Sequence, residues 1–237
     1  MKTKDLIKID DFTKIFTELS RNTELWKVFE DFLEITSLTY ANFCELDKVK
    51  YQEREDRYQE IIKKYKKDEL DKFSELIATL IQLMDREIDD YLGRAFMELE
   101  LGNKWRGQFF TPMSTAKVMA RMTLRKDIVE ESIKERGFVA GGDMAVGGGV
   151  TMLALADTLR SLGYNYQRQF VVIASDLDEK ACQMTFIQLS ILGIPAVIRQ
   201  MDALAPVEED RWTTWAYRLG FWEQKLEREK RRNGYGK

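Results

Sequence analysis

The residues best suited to chemistry lie in the second half of the chain. Asp143-Met144-Ala145-Val146-Gly147-Gly148-Gly149 separates an apolar stretch from a helical pattern. A glycine turn there brings bare backbone next to a ligand and leaves the N–H groups of the next helix free. Alone it fits a nucleotide or S-adenosylmethionine (SAM) site, or merely a tight turn. Asp176, in Ser175-Asp176-Leu177-Asp178, follows the next apolar stretch. An acid at that place can accept hydrogen bonds from both hydroxyls of a ribose. Asp178 reads instead as a helix N-cap. Met201-Asp202 ends a third apolar stretch. A carboxylate or backbone group there can reach the adenine of a cofactor, and a simple turn acid fits equally well. Gly107-Gln108-Phe109-Phe110-Thr111-Pro112, by its physics, is a loop feeding a helix.

What is missing narrows the chemistry. The 237 residues include no histidine and only two cysteines, Cys44 and Cys182. That excludes His-dependent triads and His general bases, and leaves no ligand set for a structural zinc. No metal site is expected. Both cysteines sit in helical patterns and read as buried thiols of a reducing compartment. Any chemistry must use carboxylates, amides, backbone groups or a cofactor.

Positioning these residues requires strands that end on them. The sequence predicts strands over 138–144, 170–175 and 196–200, with helices over 150–162 and 178–192 between them. Such alternation means βαβ units and a parallel sheet. Thr111-Pro112 should open a helix with proline in its first turn and Val118, Met119 and Met122 on its apolar side. A final Trp-rich helix is expected over 211–232. The first hundred residues read as helix throughout. Phe12, Ile15, Phe16 and Leu19 fall at i, i+3, i+4, i+7, and Leu70, Phe73, Ile77, Leu80, Ile81 and Met84 make the cleanest stripe. Two domains result: a helical one over 1–100 and an α/β one over 101–237.

Charge is uneven along the chain. Residues 1–100 carry 17 Lys and Arg against 24 Asp and Glu, a net of −7. An acidic first half is no obvious glove for DNA. The Arg228, Lys230, Arg231, Arg232 cluster reads as a solvated helix end or as a phosphate contact. The longest apolar runs are too short to span a bilayer, and Met1 opens no signal-peptide pattern. A cytoplasmic location and no membrane partner are expected.

Taken in order, the Gly107–Pro112 string, the Asp143–Gly149 turn, Asp176 and Asp202 resemble the adenine-N6 DNA methyltransferases. Modification subunits of type I restriction systems, and short phage or mobile-element proteins like them, are the nearest in kind. The resemblance covers roughly residues 90–205, and its most specific part is Gly107–Pro112. It implies a partial Rossmann-like SAM-methyltransferase domain of about three parallel strands with flanking helices. It also implies SAM as cofactor. Gln108, Phe110, Thr111 and Pro112 would lie on the methionine side, and Asp143, Ala145, Gly147 and Gly149 at the amino-acid part. Asp176 would hold the ribose and Asp202 the adenine edge.

Two departures from the family stand out. The glycine motif of the family usually reads Asp-Pro-Ala-Cys-Gly-Ser-Gly, whereas Met144, Val146 and Gly148 stand here. The catalytic Asn- or Asp-Pro-Pro-aromatic motif is not found, because Pro112, Pro195 and Pro206 are the three prolines and none are adjacent. The resemblance therefore implies a chain truncated before its catalytic motif, with no catalytic residue of its own. A non-enzymatic regulator, decoy or subunit of restriction–modification machinery is the alternative, and a different SAM or nucleotide enzyme using carboxylates is a weaker one. DNA is a partner to expect. In the family a fourth strand lies against the first, so the first strand here should have an open edge. A second copy or another protein would cover it, or Trp212, Trp215, Phe221 and Trp222 would do so in cis.

Overall fold

Three runs of β-branched and small residues form the parallel part of the sheet, and the candidate ligand residues stand at their carboxyl ends. They are β1 (Val139–Asp143), β2 (Phe170–Asp176) and β3 (Ala196–Met201). They pair in that order, with Gly141 against Val172 and Ile173 against Val197. The computed structural model describes residues 7–103, 111–202 and 207–232. Gln108, Phe109 and Phe110 lie outside them.

Among the described residues seven α-helices precede β1, the first five being α1 (Ile9–Leu19), α2 (Leu25–Asn42), α3 (Lys48–Ile62), α4 (Lys67–Arg86) and α5 (Tyr91–Glu98). The α1 stripe is buried as its spacing predicts. In α4 the buried face is Phe73, Leu76, Leu80, Leu83 and Met84, while Ile81 is exposed. Then come α6 (Met113–Thr123), α7 (Lys126–Arg136), α8 (Val150–Ser161), the short α9 (Tyr166–Gln169) and α10 (Glu179–Ile191). Side chains from α1, α2, α4 and α5 join those of α8, α10 and one sheet face in a single continuous core. The architecture is thus α/β: a helical N-terminal region, then a mostly parallel sheet with flanking helices.

Several local expectations are corrected. Pro112 is the N-cap of α6, one residue earlier than the first turn. The buried side of α6 is Ala116 and Ala120, which meet Val150 and Ala154 of α8. Val118, Met119 and Met122 are 58%, 52% and 75% exposed. Small residues win because they let the two helices approach closely. Cys44 is half-buried in the turn after α2, not within a helix, while Cys182 is buried in α10.

The largest correction is at the C-terminal end. Residues 211–232 do not form one helix. Glu208–Thr213 is a fourth strand, β4, antiparallel to β3. Trp212 points inward to the main core, between the exposed Glu208–Arg211 and the half-buried Thr213. Thr214 then turns the chain: its hydroxyl donates to the Ile194 carbonyl at 2.9 Å and accepts from the Ala196 N–H at 2.9 Å. Gly220 and Phe221, the latter at φ 52°, separate α11 (Trp215–Leu219) from α12 (Trp222–Arg232).

None of the four aromatic residues covers the open edge of β1. Trp215 donates its indole N–H to the Ser190 carbonyl at 2.8 Å, and Phe221 is 67% exposed. Trp222 packs edge-on against Phe138, with Val171, Tyr217 and Leu226 around it, and so covers a sheet face. Among the described residues β1 pairs only with β2.

Candidate functional site

The glycine turn joins β1 to α8, and each of its parts is tied down. Asp143 ends β1. Its Oδ1 accepts from the Ala145 N–H at 3.0 Å, and its Oδ2 from the Thr151 hydroxyl at 2.7 Å. The Val146 N–H donates to the Ser175 carbonyl at the end of β2, at 3.0 Å, and the Val146 side chain enters the main core. Met144 is exposed. Neither side chain therefore fills the space beside the turn.

Gly147 and Gly149 have φ of 56° and 94°, a region where side chains other than glycine's are strained. Gly149 is the N-cap of α8 and has no side chain to cap the first N–H groups of that helix. A Cβ on Gly149 would come within 2.9 Å of the Thr185 hydroxyl. That hydroxyl donates to the Gly147 carbonyl at 2.8 Å.

Asp176 stands at the end of β2 and reaches back to the turn. Its Oδ2 accepts from the Gly147 N–H at 2.8 Å and its Oδ1 from the Asp178 N–H at 3.0 Å. Asp178 caps α10 through the Lys180 N–H, as its sequence position predicts. A carboxylate offers about four lone-pair sites, so two local bonds leave acceptor capacity on both Asp143 and Asp176. The structure thus brings Asp143, Ala145, Gly147, Gly149 and Asp176 into one place. Asp202 directly follows β3 and is half-buried. Thr111 and Pro112 are exposed at the start of α6, the helix that lies along α8.

Next to the turn is a cavity of about 320 Å³ lined by Asp143, Met144, Ile173, Ala174, Ser175, Arg199 and Met201. Ile173 in this lining shares a sheet face with Val171, against which Trp222 packs. A larger cleft of about 650 Å³ lies elsewhere, between the start of α3 and β4. Its lining of intermixed Glu, Asp and Arg side chains contains none of the turn residues. Beneath the turn, burial raises the Cys182 thiol far above its ordinary range, and Asp176 adds to the shift. The thiol is protonated and faces the carbonyls of Asp176 and Arg199. It supports the strand ends and is no nucleophile.

Three buried polar side chains bonded to the turn or to its partners escaped the sequence reading: Asp90, Thr185 and Gln188. Thr185 and Gln188 are one helical turn apart on α10, inside a run that is buried from Ala181 to Ser190. Polar residues inside such a run were the available signal, since buried polar groups need specific partners.

No family model matches the chain, and no protein of curated function matches it in sequence. Two solved structures are similar in shape. One is described as a candidate class I SAM-dependent methyltransferase from Listeria monocytogenes, 14% identical, with a TM-score of 0.38. The other is the type I restriction-modification system methyltransferase subunit from Streptococcus thermophilus, 17% identical, with a TM-score of 0.36. Each match covers 84% of this chain, and it spans 55% and 40% of the respective partner chains.

Among the described residues no cluster of His, Cys, Asp and Glu could hold a metal. No described helix is long and apolar enough to cross a membrane.

Proposed function

We propose that this chain is a SAM-binding protein like the adenine-N6 DNA methyltransferases, and that it transfers no methyl group by itself. One observation supports the reading most: the Gly147 amide donates to Asp176, so the glycine turn and the acid at the end of β2 face each other. A SAM amino-acid group would sit against Asp143, Ala145, Gly147 and Gly149, near the N-terminus of α8, with Gln108, Phe110, Thr111 and Pro112 on its methionine side. Asp176 would hold the ribose and Asp202 the adenine edge. SAM, when bound, supplies an electrophilic methyl. The residues of this chain bind and orient it, and no Asn- or Asp-Pro-Pro-aromatic motif is present to receive the target amine. In this reading residues 1–100 are a helical domain and 101–237 a partial methyltransferase-like domain.

Calorimetry of the full chain with SAM tests the binding. We expect saturable binding, weakened at least about tenfold by Asp143→Ala, which removes two hydrogen bonds of the turn and one ligand contact. No heat at millimolar SAM in the unaltered chain would overturn the reading. Incubation with labelled SAM and DNA should leave the DNA unlabelled, since these 237 residues hold no Asn- or Asp-Pro-Pro-aromatic motif to receive a flipped base.

Among the described residues the outer edge of β1 is unpaired, which favours a second element in this reading: a partner that pairs with it. A non-enzymatic subunit, decoy or regulator of restriction–modification machinery, from a phage or mobile element, has that requirement. A second copy of the chain meets it too. Light scattering of the purified chain separates the two, a dimer favouring the second copy and a monomer the separate partner.

A further inference from the structure

A buried carboxylate outside the proposed ligand set links the helical region to the glycine turn. Asp90, the N-cap of α5, is 3% exposed. Its Oδ1 accepts from the Gly93 N–H at 2.9 Å and from the Gln188 amide at 2.9 Å. Gln188 is 0% exposed. The same Nε2 donates its other proton to the Gly148 carbonyl at 2.8 Å, and Oε1 accepts from the Leu92 N–H at 3.3 Å. One amide thus bonds to the α5 backbone, to the α5 cap and to the turn.

Two glycines make room for this carboxylate. A Cβ on Gly93 would lie 2.2 Å from Asp90 Oδ2, and a Cβ on Gly148 would lie 2.9 Å from the same atom. Gly148 has no positive φ, so backbone strain does not explain it. Its bare Cα is explained by the carboxylate above it. Gly93 is the one glycine in the first hundred residues. An apolar side chain in place of Asp90 would avoid the cost of desolvating a charge. What the carboxylate adds is a fixed geometry between α5 and the turn.

We infer that Asp90 and Gln188 are positioning residues that couple α5 to the glycine turn, so that whatever shifts α5 changes SAM affinity and SAM in turn orders α5. The part concerning SAM rests on the proposed function, while the clamp itself does not. Coupling of this kind is reciprocal by thermodynamic necessity. A binding event on the helical region would thereby regulate the site without touching the ligand.

Amide hydrogen exchange on the full chain tests it in two steps. Without ligand, Gln188→Leu and Asp90→Ala should speed exchange at Gly147 and Gly149 by about tenfold, the loss of one or two hydrogen bonds. Amides in β3 should be unchanged. Asp90→Asn keeps an acceptor oxygen and should restore the turn to within about threefold of the original rate. With SAM and the unaltered chain, Leu92 and Gly93 should slow together with Gly147. Turn amides at the original rate in folded Gln188→Leu, or α5 amides indifferent while the turn responds to SAM, would refute the coupling. If no amide anywhere responds to SAM, the cofactor reading fails, and the ligand-free comparison still decides the clamp. If both variants are unfolded, the response of Leu92 and Gly93 in the unaltered chain decides it.

Discussion

At the scale of single residues, the site is built by placing small groups where larger ones would collide. Gly149 and Gly163 make the point as a pair. Both have positive φ, 94° and 88°, so an alanine at either place meets the same backbone penalty of about 1–2 kcal/mol. Around Gly163 a Cβ would meet nothing within 4 Å, whereas at Gly149 it would strike Thr185. Gly163→Ala should therefore lower the melting temperature by only a few degrees. Gly149→Ala should lower it further and, by pushing Thr185 off the Gly147 carbonyl, should abolish SAM binding. Equal effects of the two changes on both readouts would show that the turn has slack that the geometry denies. Part of this scale was legible in the sequence, because Gly147 and Gly149 announce a backbone that other residues avoid, and Asp143 and Asp176 end apolar strand runs. Asp90, Thr185 and Gln188 were not, since their role comes from contacts 38 to 98 residues away in the chain.

At the scale of elements, the parallel strands were legible because β-branched runs ending on acids have few other uses. The C-terminal strand was not. Glu208-Glu209-Asp210-Arg211 has low strand propensity. It becomes a strand because β3 offers a ladder and Trp212 needs the core. The charges on β4 also blunt that edge of the sheet against further pairing, while β1 at the other edge carries two glycines and, within the strand, no charge before Asp143. The helix α12 has one fully buried side chain, Trp222. Trp222 is buried against Phe138, with the Lys225 ammonium 4.3 Å from its ring centroid, while the rest of α12 is exposed or half-buried. Trp222→Ala should cost about 3–5 kcal/mol by urea unfolding. It should also open α12 to proteolysis before the sheet unfolds. Protease resistance equal to that of the unaltered chain would mean that Tyr217 and Leu226 suffice to hold the helix.

At the scale of the whole molecule, two carboxyl groups with opposite pH behaviour join parts distant in sequence. Glu45, in the loop between α2 and α3, receives Arg54 at 2.8 Å and Arg218 of α11 at 3.1 Å, across 173 residues. Burial alone would raise it, but the Asp47 amide and the two guanidinium groups outweigh that and bring it to about 2. Asp90 is the reverse case: burial dominates and raises it, against the bonds from Gln188 and Gly93. The linkage signs differ accordingly. The stability that Glu45 contributes is complete above its ordinary range and is lost as pH falls through its folded value. Asp90 favours the folded state at low pH, and that help disappears as pH rises from its ordinary range through its raised folded value. Urea midpoints of the unaltered chain, Glu45→Gln and Asp90→Asn from pH 3 to pH 7 should therefore give difference curves of opposite slope. The unaltered chain should exceed Glu45→Gln by about 2 kcal/mol at neutral pH, with the gap closing toward acid. Relative to Asp90→Asn it should lose ground as pH rises. Parallel curves would mean that one of the two carboxyls is solvated in solution. For Asp90 that would remove the buried clamp by which the helical half holds the glycine turn.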